Sequence, residues 1–447
     1  MRGGKMLTRI NESFDPKGAR LMIKDALFPS PFVSGLEYSS PARGTWNIVH
    51  TGMLIPKAHE IFVCAAGCLR GVILTAAEMN AAERFSTVEI KEENILNGDL
   101  ESLAIEGVTD IISKLPKQPP AVLVYTNCLH HFTCCDLDLV YKTLRGRFPD
   151  IDFVDCYMNP IMRKSGLTPD QLMRTRLYTL LKPREINEKA VAIIGNDLPT
   201  DSESELMDML ISNGFKIHEI TSCKSYDEYQ QMAESRYYIS YLPAAKAGGD
   251  MLSDRLGGKH IHLSLSFDYG EIDESLNALA DALGIPRADY SFKRAECDEE
   301  IAKTKALIGD TPIAIDYTFC CRPTSIAKLL LDHGFNVQRL YVDAYTGTEK
   351  ADFEYLKENY PELELYPTVH AKMRFMRPSE PTNFLALGQK AAHMTNTAHF
   401  VNIVEGGGMF GYEAVIRTMK LLREAFLGEK DTRKLIQYKA LGCESCL

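Results

Sequence analysis

Five cysteines of this 447-residue chain fall in two short stretches. Cys64 and Cys68 bracket Ala-Ala-Gly. Four residues apart, they stand one turn apart if the stretch is helical, so both thiolates would address one metal or cluster. The small spacer lets a bulky group approach the backbone. Cys128 follows Thr-Asn, and His130, His131, Cys134, Cys135 and Asp136 crowd in behind it. Thiolate, imidazole and carboxylate are the ligand types of iron–sulfur and zinc chemistry. A cubane iron–sulfur cluster normally takes four cysteines. The ferredoxin run Cys-x2-Cys-x2-Cys is missing, so a cluster would draw its ligands from distant segments, or from two subunits. Zinc is the rival chemistry, but no Cys-x2-Cys hook stands beside these residues. Two buried core thiols remain the plain alternative for Cys64 and Cys68.

Other motifs are less pointed. Cys320-Cys321 follows a strand and reads as helix-start packing before it reads as a cleft lining. Cys443 and Cys446 form a Cys-x2-Cys pair at the extreme C-terminus, suited to redox or metal chemistry. Gly406-Gly407-Gly408-Met409-Phe410-Gly411 satisfies Gly-x-Gly-x-x-Gly between a strand and a helix. Such a loop aims amides at an anion. It comes late in the chain with no acidic residue closing a second strand, so Gly406, Gly407 and Gly408 predict a pocket for an anionic cofactor or substrate group and not a nicotinamide site. No Gly-x4-Gly-Lys-Ser/Thr occurs, so any ATP would be hydrolysed by another protein. The isolated Cys156, Cys223 and Cys297 read as core thiols.

The elements that must carry these residues repeat one pattern: apolar strand, turn, amphipathic helix, strand. This predicts an α/β protein of three Rossmann-like parallel-sheet domains. The middle stretch is clearest, with a strand at 189–197, a helix at 202–215 capped by Ser202 and Gly214, and strands at 216–220, 237–242 and 260–267. The third has strands at 311–317 and 336–343, a late strand running into a glycine loop over 398–408, and a helix at 412–426. In the first, 120–128 is a strand, 136–148 a helix and 150–158 a strand. Boundaries near 188 and 309 follow, giving domains 1–188, 189–309 and 310–427 and a tail 428–447. The chain is acidic, with 60 acidic against 50 basic side chains and a net charge of −10. Without a basic block it is a poor nucleic-acid binder. No run approaches the ~20 apolar residues of a membrane span, and the N-terminus lacks a signal-peptide core. The cytoplasm is the expected compartment, where twelve cysteines are not a disulfide framework.

Taken in order, the chain resembles component 1 of nitrogenase and its relatives: the dark-operative protochlorophyllide and chlorophyllide reductases, the nickel-sirohydrochlorin reductive cyclase and the cofactor-assembly scaffolds. Residues 60–71 are similar to the family's Gly-Cys signature, whose cluster ligand matches Cys68. Residues 85–99 are similar to its turn before a helix, ending in Gly98-Asp99. Tyr125-Thr-Asn-Cys128 through Asp136-Leu-Asp138 is similar to the next ligand segment. Gly195-Asn-Asp and Gly411-Tyr412-Glu-Ala also fit. The resemblance implies an iron–sulfur cluster at the interface of a homodimer or of paired homologous subunits. It also implies an ATP-hydrolysing iron protein that delivers single electrons, and a small-molecule or tetrapyrrole-like substrate. Cys64, Cys68 and Cys128 are the expected ligands, with Cys134 or Cys135 next, and Arg70 and Asp136 as nearby charges. The family's earliest cluster cysteine would fall near 38–43, where this chain has Ser39, Ser40 and Pro41. Its molybdenum–iron cofactor ligands are absent from 237–243, which lacks cysteine, and from 402–410, which lacks histidine. An organic substrate or a different cofactor is therefore expected in the cleft.

Overall fold

The structure, a computed structural model, describes residues 19–33, 48–159 and 167–431. Positions 38–43 and the Cys443/Cys446 pair lie outside the described residues. A two-residue strand, β1 (Leu21–Met22), opens the described chain and joins the last of three sheets. The first sheet has the order β3-β2-β4-β5, with β2 (His59–Ala65), β3 (Phe85–Ile90), β4 (Ala121–Asn127) and β5 (Asp152–Met158), all parallel. The second has the order β7-β6-β8-β9, with β6 (Asn187–Ile193), β7 (Lys216–Glu219), β8 (Ser235–Ser240) and β9 (Lys259–His262), again all parallel. The third runs β1-β12-β11-β10-β13-β14, with β10 (Ile313–Asp316), β11 (Val337–Tyr341), β12 (Glu364–Tyr366), β13 (Leu385–Leu387) and β14 (Phe400–Val401). Its interior is parallel and β1 pairs antiparallel at the edge. The α/β class with parallel sheets expected from the sequence is what the chain adopts.

The described residues divide into two compact units. One holds the first two sheets (48–159, 167–264 and 275–287); the other holds the third sheet (19–33, 265–274 and 288–431). In the first sheet the pleat sends alternate side chains to opposite faces, and both faces are buried, as helices on each side of a parallel sheet require. Phe62, Cys64, Leu123 and Tyr125 pack on one face with Leu177, Tyr178 and Tyr229. Ile61, Val63, Val122 and Val124 pack on the other with Leu100, Ala104 and Val108. The rings of Phe62 and Tyr125 stack at 4.0 Å.

Several elements differ from expectation. The strand β2 was not foreseen, because polar His59 and Glu60 open it although both are buried. The middle-domain helix begins at Glu205 and is capped by Ser204, whose hydroxyl accepts from Met207 N at 3.4 Å, and not by Ser202. Residues 201–204 form a turn instead, with Ser204 N bonded to the Asp201 carbonyl. The run 260–267 leaves the sheet at His262, and the strand inside 398–408 is only Phe400–Val401.

Candidate metal centre

Two strand ends build the site. Cys64 is the penultimate residue of β2, and the helix α1 (Ala66–Glu78) begins two residues later and carries Cys68 in its first turn. The pair therefore spans a strand-to-helix junction, so the condition that would set the two one helical turn apart is not met. Cys128 opens the short helix α2 (Cys128–Phe132) directly after β4. β2 and β4 are neighbours, and Val63 pairs with Thr126. The next rung brings Cys64 beside Asn127, on the face where Phe62 and Tyr125 stack. Carboxyl ends of adjacent parallel strands are where open α/β sheets meet ligands.

Cys64 feels the other two thiols. Cys64 is buried, Cys128 half-buried and Cys68 exposed. Burial pushes the Cys64 thiol far up, and the negative charge of a thiolate at Cys68 or Cys128 pushes it further. Such a thiol ionises readily only when a cation neutralises it, which is the condition a metal supplies. The side-chain amide nitrogen of Asn127, its neighbour on β4, is buried and has no hydrogen-bond partner, and the same holds for His130 Nε2 on α2. A buried donor left unfilled costs free energy unless a ligand accepts from it. The open space around a Cβ at Gly67 leaves the Cys68 side of the junction uncovered.

Cys134 and Cys135 are placed differently. Cys134 is exposed and sits at φ +53°, a left-handed conformation unusual for a residue with a Cβ. Cys135 packs on the opposite face of the sheet, beside the cluster of Val122 and Val124. Its thiol donates to the Glu101 carboxylate, and burial together with that charge pushes it up to about 12. Glu101 itself is held below the usual carboxylate range, chiefly by the Asp136 backbone N–H, which donates to it at 2.7 Å. Sequence spacing gave no sign of Glu101, which lies 35 residues from Asp136. Asp136 caps the helix Leu137–Arg147 by accepting from Leu139 N, and Arg70 is exposed.

Among the described residues no three His, Cys, Asp or Glu side chains gather closely enough to hold a single metal ion. A cubane asks for a different arrangement, since each of its cysteines binds a different iron. Elsewhere, Cys320 is buried and Cys321 half-buried at the end of β10. Cys156 and Cys297 are core residues. The Gly406–Gly408 loop takes φ of +72°, +58° and +77°. The amides of Glu405, Gly406, Gly407 and Met409 donate to carbonyls of Thr318, Phe319, Val404 and Gly406. A Cβ at Gly407 would lie 2.8 Å from Ile403. These glycines thus let the chain fold tightly, and those four amides do not face an anion pocket.

A family model described as nitrogenase component 1 type oxidoreductase matches residues 49–425. Comparison with curated sequences finds no match. Among solved structures, 65 chains match. "Nitrogenase Cp1 at pH 6.5" aligns at 14% identity with a TM-score of 0.64, covering 89% of this chain and 94% of that one. "Nitrogenase Cp1 at pH 5" aligns at 12% identity with a TM-score of 0.57, covering 96% of each. At these identities the likeness is one of fold.

Proposed function

The chain belongs to the nitrogenase component 1 type oxidoreductase family, and on that premise we propose that it is a reductase subunit whose Cys64, Cys68 and Cys128 hold part of an iron–sulfur cluster. The observation that carries this reading is the meeting of three thiols at the carboxyl ends of β2 and β4, with Cys64 burdened by the other two. When bound, such a cluster takes up and passes on single electrons. The protein's own part is to fix the thiolates, to keep water from Cys64 and to present the unfilled amide of Asn127 beside them. Hydrogen bonds and burial of this kind set a cluster's potential.

Three cysteines leave one cubane position open. With a homologous partner the remaining ligand comes from that subunit; in a homodimer, where the two copies bring six thiols, two from each fill the four positions, and in both cases the cluster sits at the interface. The helices that carry Cys68 and Cys128 also expose Ile73 and Phe132, at 43% and 66%, which is apolar surface that a partner would cover. An ATP-hydrolysing iron protein is the electron donor, the substrate is a small organic or tetrapyrrole-like molecule, and the cytoplasm is the compartment. The proposed domains are 1–188, 189–309 and 310–427.

Substitution tests the ligand set. Cys68→Ser and Cys128→Ser, made and purified without oxygen, are expected to lose the visible absorption of the cluster. Cys135→Ser is expected to keep it. Retention in Cys128→Ser, or equal loss in Cys135→Ser, would overturn the assignment. Cluster-loaded protein that never turns over with any iron protein would be a cofactor-assembly scaffold instead.

A further inference from the structure

The middle sheet ends in a second group of reactive side chains that includes none of the cysteines. Ser240 ends β8 and His262 ends β9, and the two are direct cross-strand partners. His260 lies two residues before His262, so the pleat turns both imidazoles to one face. Ser240 Oγ is 2.8 Å from His260 Nε2 and 2.8 Å from His262 Nδ1. His260 Nδ1 is 2.7 Å from Asp250 Oδ1, on the helix α3 (Lys246–Leu256). Ser240 is fully buried and the His260 ring nearly so, while Asp250 is 55% exposed. The helix is built to seat the ring: a Cβ at Gly249 would lie 2.1 Å from His260 Nε2.

Asp250, His260 and Ser240 have the residue types and contacts of a Ser-His-Asp triad. The geometry nevertheless excludes a nucleophile, because Oγ is sealed from solvent and a second imidazole occupies its other hydrogen-bonding direction. A hydroxyl has one proton, so Ser240 donates to one imidazole and accepts from the other. Two arrangements satisfy all three bonds. In the first, His262 Nδ1–H donates to Ser240, Ser240 O–H to His260 Nε2, and His260 Nδ1–H to Asp250, leaving a lone pair on His262 Nε2. In the second, His260 carries an extra proton and donates from both nitrogens. Ser240 then accepts from His260 and donates to His262 Nδ1, and neutral His262 holds its proton on Nε2.

We propose that Asp250, His260, Ser240 and His262 form a proton relay that loads and unloads His262 Nε2 at the carboxyl end of the middle sheet. Discharge is balanced. The Nε2 proton leaves to an acceptor, the Ser240 proton moves to His262 Nδ1, and the His260 Nε2 proton moves to Ser240. His260 returns to neutral beside Asp250, and a proton taken up at His262 Nε2 drives the same three transfers in reverse. Burial, with the charges of His260 and Lys246, pushes His262 down to about 4, so this ring stays neutral throughout. Lys246 and Asp250 of α3 are the charged side chains that act on the pair, and they lie 3.3 Å apart. The proposal rests on the reductase reading in one respect: each electron given to an organic substrate in a hydrogenation needs a proton, and strand ends of this kind are ligand sites.

Nitrogen NMR of the full chain, labelled at histidine and assigned with His260→Gln and His262→Gln, reads which ring nitrogen carries the proton. His262 is expected to switch from Nδ1–H to Nε2–H when the four-residue group takes up one proton from the medium. Ser240→Ala should abolish the switch and Ser240→Thr restore it. Asp250→Asn, at the exposed end, should move it to lower pH. A His262 tautomer that ignores His260, or a switch that survives Ser240→Ala, overturns the relay. The measurement needs no electrons, so a working switch in a protein without turnover would count against the reductase reading alone.

Discussion

Glu60 shows how much a single buried side chain can bias this unit. It is fully buried one strand over from Tyr125, whose hydroxyl donates to it at 3.5 Å. Burial pushes its carboxyl well above the ordinary range, outweighing Arg84 and Tyr125, which pull it down. A folded pKa above the unfolded one means stability that is complete below the unfolded value and is lost as pH rises toward the folded one. Glu60→Gln removes that loss. Thermal melts between pH 5 and pH 9 should therefore fall with pH in the natural chain and fall less in the variant; parallel slopes would refute this account of Glu60. At the residue scale the sequence was informative about cysteines and poor about their partners. Cys64, Cys68 and Cys128 stood out by type and spacing. Glu101 and Ser240 did not, because a lone carboxylate or hydroxyl gains its meaning from a neighbour distant in the chain. His260 and His262, alternating on a strand, were a signal of period two that spacing alone did not connect to Asp250.

Elements decide where those side chains point. The helix Pro169–Arg176 sends Arg174, almost fully buried, to Asp170 at 3.2 Å, to Asp197 at 2.9 Å and to the Gly195 carbonyl behind β6. This ties the segment after the first sheet to the first turn of the middle one. Removing one partner of a buried ion network leaves stranded charge, and Arg174→Met should cost about 3–5 kcal/mol in urea unfolding. Gly249→Ala forces a methyl group into the His260 ring and should cost about 1–3 kcal/mol, measured the same way; a neutral effect would mean that the helix and ring move apart freely. The regular βαβ stretches were readable because their strands are continuous apolar runs and their helices keep one apolar face. β2 was missed because buried His59 and Glu60 open it with polar side chains, which left the strand-to-helix junction between Cys64 and Cys68 unread. The glycine loop shows why such a motif is ambiguous: Gly-x-Gly-x-x-Gly records the need for positive φ, and the amides of Gly406, Gly407 and Met409 meet the chain's own carbonyls.

For the whole molecule, the family and the parallel-sheet α/β fold were within reach of the sequence, since ordered motifs along most of the chain carry them. No helix among the described residues is long and apolar enough to cross a membrane. The central claim is that this fold brings Cys64, Cys68 and Cys128 together to hold an iron–sulfur cluster shared with a second subunit. Iron and acid-labile sulfide per chain, determined with the electron paramagnetic resonance spectrum on protein made and purified without oxygen, test it most directly. The account predicts about two irons and about two sulfides per chain, equivalent to one cubane per pair of subunits, and their loss in Cys128→Ser. Protein that holds no iron after anaerobic reconstitution would contradict it and leave the three thiols as structural residues of a binding protein.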